Sequence, residues 1–278
     1  MAMVQSNLPK VMVAPDSTKH SASSPSSSSE HDESDRVPFA ISTPLVPVTK
    51  VRKSFYPPED SPLQNLGTAR ANVAADVQSP NGSTENNYTA ARAHQTVLQQ
   101  HIDYWDPDLD GVIWPTDTYR GCRRFGWNPV LSFFAAAIIN LGLSYPTCSN
   151  IFPDPLFRIY ISRIHKAKHG SDSGSYDNEG RFRPQQFEDI FSKYDRGNKG
   201  GLSLGDVWFM LRGYRVIFDV FGWTAMILEW IATYLVIWPA DGIMRKEDVR
   251  AVYDGSIFYK KAHELEMQRS REVALKRA

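Results

Sequence analysis

The chain has 278 residues, no net charge at neutral pH and two cysteines. That length allows one large domain or two small ones, and the neutral balance gives no ground for a nucleic-acid partner. Cys122 and Cys148 do not make a disulfide framework and fit a reducing compartment.

Residues 1–88 read as a disordered tail. Residues 21–29 are nearly all Ser with Ala and Pro, and Glu30, Asp32, Glu33 and Asp35 follow. Prolines recur through Pro62, with one more at Pro80. Such a segment offers too little apolar surface to offset its chain entropy. The first residues lack the basic start and long apolar run of a secretory signal, so none is expected.

Residues 89–124 read as a calcium-binding EF-hand. ARAHQTVLQQHIDYW predicts the entering helix, with Val97, His101 and Trp105 at i, i+4 and i+8 and Leu98 and Ile102 beside them. Spacing alone leaves His101 a satisfied core residue or a ligand. DPDLDGVIWPTD follows at 106–117. Asp106, Asp108 and Asp110 take the first, third and fifth places, Gly111 the sixth, Val112 the seventh and Asp117 the twelfth. Alternate oxygens at this spacing converge on one hard cation, with Val112 offering its carbonyl. Ile113, at the eighth place, would form the short β contact with a partner loop. The usual closing residue is Glu; Asp117 is one methylene shorter.

Residues 125–158 read as a hydrophobic segment with a proline turn. Arg120, Arg123 and Arg124 stand before it, placed for lipid phosphates. Sixteen uncharged residues separate Pro129 from Pro146. As a helix they span about 24 Å, short of the roughly 30 Å of a bilayer core. Pro146, Pro153 and Pro155 predict a break, and hence a helix-break-helix hairpin inserted from one side; a buried core helix is the alternative.

Residues 159–278 read as a helical, EF-like region. LFRIYISRIHKAKHG predicts a helix with His165 and His169 one turn apart, a weak metal signal without HExxH or a Cys pair. Residues 195–206 repeat the loop pattern: Asp195 first, Gly200 sixth, Leu202 eighth, Asp206 twelfth. Gly197 and Lys199 occupy ligand places, so this degenerate loop should keep its shape without an ion and pair with the first. Gly242, Met244 and Asp248 echo the back half of a third loop. Residues 216–238 are long enough to span a membrane, but Asp219 and Glu229 make that costly. An amphipathic or buried helix is expected, with Trp223, Trp230 and Trp238 suited to an interface. The C-terminal KKAHELEMQRSREVALKRA predicts a charged, solvent-facing helix.

The fold class expected is therefore mainly α: one calcium loop, a degenerate second loop and a hydrophobic helical hairpin. LQQHIDYWDPDLDGVIWPTDTYRG, INLGLSYPT, RIHKAKHGSDSGSYDNEGRF, IFSKYDRGNKGGLSLGDVW, FGW and YDGSIFY, in this order, resemble the caleosin family. The resemblance implies a peroxygenase that uses haem b and calcium. It implies oxygen transfer from a fatty-acid hydroperoxide to an unsaturated lipid, at a lipid droplet or endoplasmic reticulum membrane held monotopically. It also implies that His101 and His169 are the haem histidines and that Asp106, Asp108, Asp110, Val112 and Asp117 hold calcium. Two departures stand out: Asp117 replaces the family's Glu, and Arg158 stands where another proline is usual. Haem chemistry on a hydroperoxide needs one protein ligand and one open face. One histidine is then expected as axial ligand, His101 for preference, with the other across the haem. The competing reading is a non-enzymatic, calcium-dependent structural or tethering protein of the droplet surface.

Overall fold

A computed structural model describes residues 69–277; residues 1–68 of the expected tail lie outside them. Composition assigns residues 69–88 to that tail, but the structure packs them. Ala74, Ala75, Asp76 and Tyr88 are buried. Arg250 donates to the Ala74 carbonyl at 3.1 Å, Ser83 Oγ to Asp254 at 2.6 Å and the Tyr88 hydroxyl to the Asp254 carbonyl at 2.8 Å. Hydrogen bonds to a buried Arg250–Asp254 ion pair hold this polar stretch, a device that hydropathy does not register.

The helices are α1 (Tyr88–Ala91), α2 (Val97–Asp103), α3 (Pro115–Arg124), α4 (Pro129–Thr147), α5 (Pro184–Tyr194), α6 (Leu204–Tyr214), α7 (Val220–Ile237), α8 (Lys246–Tyr253) and α9 (Ser256–Arg277). The entering helix is shorter than its apolar period suggests, because Thr96 starts α2 afresh. Its Oγ1 accepts from Gln99 N while Gln99 Oε1 accepts from Thr96 N, a capping box.

Two short antiparallel ribbons organise the loops. β1 (Val112–Ile113) pairs with β2 (Ile159–Tyr160), and β3 (Gly201–Ser203) with β4 (Ile243–Arg245). Ile113 does form a β contact, but the second loop is not its partner. The second loop pairs with the third echo instead, Leu202 opposite Met244, both wholly buried in the main core. Ile113 and Ile159 belong to a smaller core with Ile102, Ile161 and Ile164. Each ribbon is thus fixed by the apolar cluster that its central pair enters.

The hairpin is corrected too. α4 runs through Pro146, which sits in the last turn and removes little helix hydrogen bonding. No second helix follows. Residues 148–158 return irregularly, because Pro153 and Pro155 cannot serve a helix interior. Asp154 organises the return: it accepts from Leu156 N at 2.9 Å and from Arg158 Nε at 2.8 Å. The Arg158 guanidinium lies 5.2 Å from the Trp114 ring, tying the return to the acidic loop at 106–117. Next, Ile161–Ala167 form a 3-10 helix rather than an α-helix. Ile161 and Ile164, three apart, both reach the core, which suits three residues per turn. His165 and His169 therefore do not share an α-helical turn.

α4 and α7 are long and apolar enough to cross a membrane by length and composition. α7 is neither buried nor amphipathic in the ordinary sense: Val220, Phe221 and Ile231 face outward while Trp230 is buried. Trp230 is thus a core residue, whereas Trp238 is exposed. α9 leaves the core after Ile257, Phe258 and Ala262 and is solvent-facing beyond.

Candidate functional site

α2, α4, α7, α8 and the segment after the 3-10 helix enclose a cavity of about 580 Å³. That size lies within the range of small-molecule and cofactor sites, roughly 300–1,000 Å³. Its wall is mostly aliphatic and aromatic. His101 and His169 both line it; His165 does not.

His101 projects from α2 with its Nδ1 2.6 Å from the Val252 carbonyl of α8. A carbonyl only accepts, so Nδ1 carries the hydrogen and Nε2 keeps its lone pair. Burial lowers the pKa of the ring, outweighing the Val252 bond, so the ring is neutral. Phe258 packs edge-on at 5.5 Å between ring centres. α2 can approach the α8–α9 turn this closely because residue 255 is glycine. Gly255 has φ +79°, and a Cβ there would lie 2.6 Å from the Gln100 carbonyl oxygen.

His169 is held from the other side. Its Nε2 lies 3.3 Å from Glu229 Oε1 of α7 and donates to it. The side chain is only 6% exposed, and its buried Nδ1 has no partner. Burial works to lower its pKa, but the Glu229 carboxylate outweighs that and the net shift is upward. The KHGSD block docks on the start of α7 through Asp219, which accepts from Ser171 N at 2.7 Å and Gly222 N at 2.9 Å. A Cβ at Gly222 would lie 2.0 Å from the Asp219 carboxylate, so this cap requires glycine.

The residues present fit a haem. A neutral imidazole with a fixed lone pair lines an apolar cavity, and a second, buried imidazole nitrogen there lacks a partner.

The acidic loop lies at the end of α2. Ligand oxygens of Asp106, Asp108 and Asp110 fall within 4.8 Å of one another. Asp106 is buried and accepts from Asp110 N at 3.2 Å and Gly111 N at 2.8 Å, which shapes the loop. Burial, with Asp108 adding to it against the Gly111 bond, pushes the Asp106 carboxyl up to about 6. Asp117 is not part of the trio: its Oδ2 accepts from Trp114 N at 3.1 Å and caps α3. Val112 lies in β1, paired with Tyr160. Trp105, just before the loop, and Ile113, at its eighth place, both line the cavity.

Sequence reasoning missed Glu229, which it treated only as a cost in lipid. One carboxylate in an otherwise uncharged apolar helix was the available signal. Val252 carried none, because it acts through its backbone.

The family model described as Caleosin related protein matches residues 93–262. Over 212 residues the chain is 38% identical to a protein of Lilium longiflorum named Peroxygenase, covering 76% of this chain and 87% of that one. Over 179 residues it is 37% identical to the Arabidopsis thaliana protein named Probable peroxygenase 4, covering 64% and 90%. It is also 32% identical over 153 residues to an Arabidopsis thaliana protein named Probable inactive peroxygenase-like protein, covering 54% and 70%. No solved structure gives a significant match. The chain is an enzyme of the peroxygenase class. It belongs to the caleosin family.

Proposed function

We propose that this peroxygenase depends on haem b and calcium and transfers an oxygen atom from a fatty-acid hydroperoxide to an unsaturated lipid. It works at the surface of lipid droplets and the endoplasmic reticulum, held by the apolar α4. The observation that carries the reading is the His101 imidazole, fixed by Val252 with Nε2 free, in one cavity with His169.

His101 Nε2 would hold the haem iron, which when bound supplies cleavage of the hydroperoxide O–O bond and delivery of one oxygen to the lipid. His169 handles the proton. Its partnerless Nδ1 takes the hydrogen from the hydroperoxide O–H and returns it to the departing oxygen. Glu229 accepts Nε2–H, fixes that tautomer and stabilises the imidazolium formed in passing. The aliphatic and aromatic wall excludes water and receives the acyl chain.

Calcium would sit on Asp106, Asp108, Asp110 and the Val112 carbonyl, with Asp117 closing the loop. Trp105 and Ile113 then transmit its presence to the cavity wall.

An absorption spectrum of the purified protein tests this directly. A Soret band is expected, altered by a calcium chelator and lost in His101→Ala. His169→Ala should retain the band and lose epoxidation, while His165→Ala keeps both. Epoxidation that survives His169→Ala removes the proton-handling role. A colourless protein after reconstitution with haemin returns the droplet-coat reading.

A further inference from the structure

α4 and α7 line one cavity without packing closely on each other. Phe134 and Ile138 of α4, and Leu228 and Ile231 of α7, line the cavity and are also exposed, at 57%, 46%, 36% and 49%. Side chains that do both stand at a mouth. This mouth opens between two apolar helices.

The outer side of α7 continues the same chemistry. The loop before it carries Ile217 and Phe218, 77% and 87% exposed. Phe218 has φ +62°, a conformation that bulky residues rarely adopt. Arg212 and Arg215, which precede this loop in the chain, are exposed, and Arg215 lies 5.3 Å from the Trp223 ring. Contiguous apolar surface of this kind marks an interaction site. Guanidinium groups flanking an uncharged apolar tip match anionic headgroups lying over acyl chains.

We propose that α7 and its preceding loop form a second lipid-contacting element beside α4, and that the gap between the two helices admits an acyl chain from a phospholipid layer into the cavity. The proposal rests on the peroxygenase reading and deepens it. A double bond partway along an acyl chain lies in the apolar layer, below the headgroups. A lateral route brings it to the cavity without exposing the chain to water.

Two experiments on the full-length, haem-loaded protein test the two parts. The double variant Ile217→Asp, Phe218→Asp is floated with vesicles of phosphatidylcholine and phosphatidic acid. Vesicle affinity should fall about tenfold or more, with turnover of a small water-soluble sulfide unchanged. Unchanged flotation overturns the second element.

Ala135 of α4 and Ala232 of α7 line the cavity next to the mouth residues Phe134 and Ile231, and Ala135→Trp and Ala232→Trp narrow it from either helix. Each should lower the ratio of kcat/KM for a long-chain lipid to that for the small sulfide by about tenfold. Binding of a fluorescent polyene fatty acid should weaken in parallel. Ile231→Ala, which adds no bulk, should raise the ratio and is read where the tryptophans prevent folding. An unchanged ratio with intact Soret absorption overturns the portal. Absence of Soret absorption in the unmodified protein overturns the parent reading instead.

Discussion

The loops at 106–117 and 195–206 share a backbone and differ in charge. Asp195 accepts from Lys199 N at 2.8 Å and Gly200 N at 2.8 Å, as Asp106 does from Asp110 N and Gly111 N. Asp206 accepts from Ser203 N at 2.9 Å, as Asp117 does from Trp114 N. Gly111 and Gly200 both have positive φ, +81° and +72°. The acidic charge inside loop one is neutralised in loop two. Loop one gathers three carboxylates and no cation of its own. Loop two brings Lys199 Nζ to 2.9 Å from Asp206 and 3.3 Å from Asp195, with Arg196 at 3.0 Å from Asp206. Burial would raise the Asp206 pKa, but the bonds from Ser203 and Lys199 take it well below the usual carboxylate range. The loop shape is therefore set by the first aspartate and the glycine. On the proposed calcium reading, the fifth position, Asp110 or Lys199, decides whether an ion is needed.

The comparison breaks most directly at Asp106. Asp106→Asn removes the buried carboxylate, and calcium affinity measured by calorimetry should fall by about two orders of magnitude. Asp117→Glu extends the closing side chain toward the trio, and the same titration should show roughly tenfold tighter binding. Installing Gly197→Asp with Lys199→Asp should give loop two a calcium site of its own; a binding stoichiometry that stays at the unmodified value defeats the claim that Lys199 replaces the ion.

Thermal melting sharpens the contrast. Calcium at a hundredfold excess over its dissociation constant should add about 2.7 kcal/mol, or roughly 2–4 °C in Tm for each kcal/mol. Asp106→Asn should lose that gain, whereas Lys199→Met should lower Tm with and without calcium alike.

The smallest effect is in pH, and its sign differs between the loops. The folded pKa of Asp106 is raised to about 6, so the calcium-free fold binds the extra proton. Its stability should then fall as pH rises through that value, an effect absent from Asp106→Asn. Asp206 is depressed, so its contribution is present above the unfolded carboxylate value of about 4 and lost as pH falls toward the folded one. Melting curves of the chelated protein between these limits check both signs.

Much of this was visible in the residues. Asp106, Asp108, Asp110 and Gly111 announce their loop because every ligand place lies within a few residues. The lysine that takes the fifth place of loop two is equally local. The packing of residues 69–88 was not visible, because it depends on a buried arginine far along the chain. Nor was the exchange of loop partners, since Leu202 and Ile113 are equally suited to a two-stranded ribbon until the cores that receive them are known.

By itself, the sequence determined the mainly helical class, the two loops, one acidic and one neutral, the apolar segments, and the histidines that the family resemblance singles out. Those properties rest on contacts between near neighbours or on composition, and both can be read along a line. Only the tertiary structure decided that His101 is fixed by the Val252 carbonyl, that His169 meets Glu229, and that α4 and α7 flank one cavity. Each of these joins groups dozens of residues apart, often through a backbone atom common to every residue, so no side-chain pattern along the chain could record it.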